Sequence, residues 1–94
     1  MSQGELESSL TDVRAEVYLI EAKRVETERL ISAAEARDDA LELKSLADRE
    51  RLITERLDEL DAKTAGLRAR LEHVLESRRG DEQQESATGE TSED

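Results

Sequence analysis

The side chains that could do chemistry in this chain are few, and their spacing does not assemble them. His73 is the only histidine. A lone imidazole needs a nucleophile to deprotonate or a partner to orient it before it can act as a base. Glu72 and Glu76 flank it on the same stretch, which gives an ordinary surface group. Carboxylates abound, so a helical di-metal site has to be considered. Such sites send a Glu-x-x-His pair inward from each of two helices. Three residues before His73 stands Arg70, and no second histidine exists. The acids also lack the Asp/Asn–Gly–Glu spacing of a calcium loop, and no glycine-rich phosphate loop is present. The chain has no cysteine, hence no disulfide framework and no thiolate site. The sequence therefore predicts no enzyme, no cofactor and no metal centre.

The polar residues that stand out lie where apolar ones are expected. From Leu6 to Ala34 a seam recurs every three or four residues: Leu6, Leu10, Val13, Val17, Ile20, Arg24, Thr27, Ile31 and Ala34. From Leu43 to Val74 a second seam runs through Leu46, Glu50, Ile53, Leu57, Leu60, Thr64, Leu67 and Leu71. Folding the chain between Asp38 and Asp39 sets the two face to face, Leu6 against Leu71, Leu10 against Leu67, Val17 against Leu60 and Ala34 against Leu43. Heptad seams that mirror each other in this way zip antiparallel helices together. Arg24, Thr27 and Glu50 interrupt the seams within a layer of one another. They are expected to form a polar layer that sets register and partner choice, with Arg24 and Glu50 as a buried or half-buried ion pair; the rival expectation is that both reach out to water.

Composition agrees with a thin helical fold. Charged residues are 41% of the chain and aromatics 1%, Tyr18 alone, so nothing can fill a thick globular core. There is no proline to interrupt a helix. Ser2 with Glu5, and Asp39 with Glu42, have the spacing of helix N-caps. The expected fold is all-α: an antiparallel two-helix coiled-coil hairpin over residues 1–79. Helix 1 spans about 3–37, the turn lies near 38–39, and helix 2 spans about 40–79 with Gly80 as its terminator. Residues 80–94 hold six acids, no cation and no large apolar residue. They are expected to form a disordered acidic tail. One long helix is the alternative, paired with a second chain as the domain-swapped twin of the hairpin.

Charges beside the seams test the register. It brings Glu7 near Arg68, Arg14 near Asp61, Glu16 near Lys63 and Arg37 near Glu42, with Lys23 near Arg56 as the single repulsive pair. Each exposed pair stabilises by only about 0.2–1 kcal/mol, so the pattern supports the register without holding the fold together.

Two helices are expected to leave every seam residue half covered, and the sequence supplies surfaces for a further layer. Ala15, Tyr18, Leu19, Ala22 and Val25 form a stripe on the far side of helix 1, and Ala62, Ala65, Gly66 and Ala69 form one on the far side of helix 2. These residues are the expected protein-interaction surface, and dimerisation into a four-helix bundle is the expected use. The net charge of −11 opposes direct binding to nucleic acid or to an anionic membrane. No apolar run reads as a leader or a membrane span, so a cytoplasmic location is expected. The expected function is a non-catalytic interaction module, an adaptor, assembly or scaffold subunit that binds itself and another protein. The alternative is an acidic inhibitor that mimics nucleic acid on a basic protein surface.

Overall fold

The computed structural model describes the backbone of residues 1–93 and the side-chain surroundings of residues 1–80. Two helices make up the fold, α1 (Gln3–Arg37) and α2 (Ala40–Glu93), packed antiparallel as a hairpin within one chain. α1 begins as its sequence predicts. Ser2 is extended and its hydroxyl accepts from the Glu5 amide at 3.2 Å, satisfying one of the free N–H groups of the first turn.

The turn explains how a chain with no Gly or Pro at that point reverses direction. Asp38 adopts the left-handed conformation, φ 58°, ψ 39°. Its amide donates to the Glu35 carbonyl at 3.1 Å, and the Asp39 amide donates to the Ala34 carbonyl at 3.0 Å. This is the Schellman pattern, normally closed by glycine. Aspartate is among the few residues that tolerate the left-handed region. Asp39 then caps the next helix, its carboxylate accepting from the Glu42 amide at 3.1 Å. Two adjacent aspartates thus end one helix and start the other.

The core is one row thick, yet the two helices alone bury its central side chains to 0–8% exposure rather than half covering them as expected. The reason is that each side chain fits between its neighbours on the facing helix. Leu6, Leu10, Val13, Leu60 and Leu67 are buried together, with Val17, Ile20, Leu71 and Val74 partly buried against them. Leu46, Ile53 and Ala34 continue the buried row toward the turn. Every one of these residues belongs to the two mirrored seams. At the open end Arg78 donates to the Gln3 side chain, so the antiparallel register uses up α1 there.

Helix 2 does not stop where its sequence suggests. α2 passes through Gly80, which keeps negative φ and forms no left-handed cap. A glycine costs a helix about 1 kcal/mol relative to alanine but ends it only by adopting the left-handed conformation. The expected disordered tail over residues 80–94 falls, Gly80 apart, outside the residues whose side chains are described.

Candidate interaction surface

The residues expected to set register are separated by the structure. Thr27 is fully buried, at 0% exposure, and its hydroxyl donates to the Lys23 carbonyl of its own helix at 2.7 Å. A buried hydroxyl satisfied one turn back leaves no polar group in need of a partner across the seam. Arg24 and Glu50 do not form an ion pair. Arg24 reaches Glu28, one turn along α1, at 3.6 Å, with both side chains about half exposed. Glu50 is half-buried and enters no ion pair among the described residues. The physical reason is desolvation: a charge in a two-helix seam can stay in water, so nothing repays moving both charges between the helices.

One cross-helix ion pair in the middle of the hairpin has good geometry, and spacing alone did not find it. Arg56 of α2 donates to both carboxylate oxygens of Glu16 on α1, with Nη2 at 2.7 Å from each and Nε at 3.1 Å from Oε2. It also holds Glu59, one turn along its own helix, at 2.9 Å. The sequence placed Lys63 beside Glu16 and set Arg56 against Lys23. The long guanidinium stem instead swings toward the acids. At the turn Arg37 and Glu42 pair at 2.7 Å, as expected. The Glu7–Arg68 and Arg14–Asp61 pairs do not close to ion-pair distance among the described residues. Glu7 accepts from Gln3 instead, at 3.1 Å.

Hydrogen bonding to Arg56 holds the Glu16 carboxyl below the usual carboxylate range, with Lys63 adding a smaller attraction at longer range. A carboxyl whose pKa is depressed by folding adds stability above its unfolded pKa and loses it as pH falls through the folded value. Its contribution is therefore present at neutral pH and fades on the acid side of the ordinary glutamate range. The Glu16 side-chain carbonyl signal, followed by NMR through an acid titration, is expected to move at higher pH in Arg56→Ala than in the wild type. An unchanged midpoint would show that the pair does not persist in solution.

The two outer stripes are solvent-exposed. Tyr18 is 78% exposed, Leu19 and Val25 are exposed, and Ala15, Ala22, Ala62, Ala65 and Ala69 are exposed with them. A Cβ built on Gly66 would meet no atom, so the α2 stripe is open as well. Sequence reasoning missed two further leucines on α2, Leu41 at 84% exposure and Leu52 at 61%. Their spacing of eleven residues, three helical turns, was the available signal.

The described residues hold no group of three or more potential metal ligands. His73 is exposed and lies with Met1, Leu6, Ala69, Arg70 and Val74 along a shallow groove at the open end of the hairpin. No helix among the described residues is long and apolar enough to cross a membrane. No family model matches the chain, and no curated protein or solved structure is significantly similar to it.

Proposed function

We propose that the hairpin is a non-catalytic helical interaction module, an adaptor, assembly or scaffold subunit, that pairs with a second copy into a four-helix bundle. The observation that carries this reading is the exposure of Tyr18, Leu19 and Val25 on α1, opposite a core only one row thick. Helix propensity favours alanine at solvent-facing positions, and it gives no reason for an aromatic and two branched side chains there. The open small-residue stripe of α2 lets a further helix approach closely.

Sedimentation equilibrium tests the proposal. The wild-type chain is expected at twice its 10.6 kDa mass, and Tyr18→Glu combined with Val25→Glu at the monomer mass. A double variant that stays dimeric would remove the stripe from the interface. A monomeric wild type would overturn self-association.

A net charge of −11 favours one second reading, an acidic inhibitor on a basic protein surface. Salt separates the two. Contacts between apolar helix faces survive high ionic strength, whereas an acidic mimic loses affinity steeply.

A further inference from the structure

Among the described residues, one groove between the helices has no acid in its lining. Ile20 and Lys23 of α1 and Arg49, Leu52, Ile53 and Arg56 of α2 line an open depression of about 330 Å³ there. Three apolar side chains and three cations line it, in a protein whose acids outnumber its cations by 25 to 14. Arg56 is committed to Glu16 and Glu59. Lys23 and Arg49 enter no ion pair among the described residues, one on each bank. Of the acids nearby, Glu16 and Glu59 are held by Arg56, Asp48 holds Arg51 at 3.9 Å, and Glu50 and Glu55 do not line the groove.

We propose that this groove seats a third helix, an acidic amphipathic segment of a partner protein, whose carboxylates meet Lys23 and Arg49 and whose apolar side chains cover Leu52 and Leu41. The proposal rests on the interaction-module reading but uses a different surface from the Tyr18 stripe. Charge complementarity selects the occupant's sign. Glu16 and Glu59 are occupied by Arg56, Lys23 and Arg49 lie at the contact itself, and acids farther than about 10 Å are screened at ordinary salt. The geometry selects a helix. The groove runs along two helices, and no strand edge exists among the described residues to pair an extended peptide. Helices lie in such grooves at shallow angles, with side chains fitted between the rows of their neighbours. Leu41 and Leu52 are three turns apart and within about 20° of each other around α2, so one straight apolar stripe reaches both. The chain's own acidic residues 81–94 contain no large apolar side chain and cannot cover these leucines.

The probe is a labelled synthetic peptide of about three heptads, with leucine at a and d and glutamate at e and g. Its twin carries lysine in place of glutamate. Fluorescence anisotropy with the full chain is expected to show the glutamate peptide bound about ten-fold more tightly than the twin at low salt, with the preference shrinking at high salt. Lys23→Gln combined with Arg49→Gln is expected to erase the preference, and Leu52→Gln to weaken binding of the glutamate peptide about ten-fold. All three positions are exposed, so the variants are expected to keep wild-type helicity, which circular dichroism checks. Failure of the glutamate peptide to bind, equal binding of the lysine twin, or wild-type behaviour of the double variant each overturns the proposal. So does a fall in sedimentation mass on Lys23→Gln and Arg49→Gln, which would make a second copy the occupant. Tyr18→Glu with Val25→Glu is expected to leave peptide binding unchanged. A monomeric wild type with peptide binding intact would overturn self-association alone, and a dimer that ignores the peptide would overturn the groove alone.

Discussion

Replacing Leu60 by alanine is expected to lower the stability of the hairpin by about 2–4 kcal/mol, the cost of removing a large buried side chain and leaving part of its space empty. Leu60 is 2% exposed and sits at the centre of the buried row with Leu6, Leu10, Val13 and Leu67. A core with one row of contacts has no second layer to close over the cavity. Small domains carry total stabilities of about 5–15 kcal/mol, so the loss is a large share of what is available. Denaturant unfolding followed by helicity measures it. Leu52→Ala is the matched control on the same helix. With Leu52 largely in water, that change is expected to stay within about 0.5 kcal/mol. Equal effects at the two positions would mean that the seam does not carry the stability, and the register drawn through Leu60 would fall.

The second large effect is expected from enlarging a residue rather than shrinking one. Ala34 is fully buried beside the turn, and its carbonyl accepts the Asp39 amide that closes the Schellman pattern. The register sets it against Leu43. Ala34→Leu asks the helices to separate where the chain has only Asp38 and Asp39 with which to reverse. Overpacking of this kind costs about 1–3 kcal/mol, and the two-residue connection leaves little slack to relieve it. Ala33→Leu, one residue earlier and exposed, adds the same atoms to the solvent side and is expected to change stability little. Denaturant midpoints of the pair separate the two cases. If Ala34→Leu is as well tolerated as Ala33→Leu, the helices are not in close contact at the turn.

Both expectations turn on the seam, and the seam was readable from the chain alone. Its buried members, Leu6, Leu10, Val13, Thr27, Ala34, Leu46, Ile53, Leu60 and Leu67, all belong to the heptad pattern. The fold point between Asp38 and Asp39, the caps at Ser2 and Asp39 and the Arg37–Glu42 pair were legible for the same reason. Backbone periodicity, capping and a two-residue turn are local, and local rules act on neighbouring residues whatever the rest of the molecule does. Exposure of the Tyr18 stripe also follows from periodicity, since a helix has one inward face and the seam occupies it.

Tertiary structure decided what long side chains do once the helices are side by side. Spacing put Arg24 in the seam near Glu50, yet Arg24 turns to Glu28 in water. Spacing set Arg56 against Lys23, yet Arg56 crosses to Glu16, and among the described residues Lys23 and Arg49 are the groove cations that enter no ion pair. Gly80, expected to end α2, carries the helix onward. A flexible arginine can reach several partners, and the rotation of each helix about its own axis selects among them while seam residues keep the same neighbours. The sequence thus determined two helices, their turn and the row that joins them. Only the packed pair determined which charges meet, which leucines stay in water, and where an acidic chain keeps a basic groove.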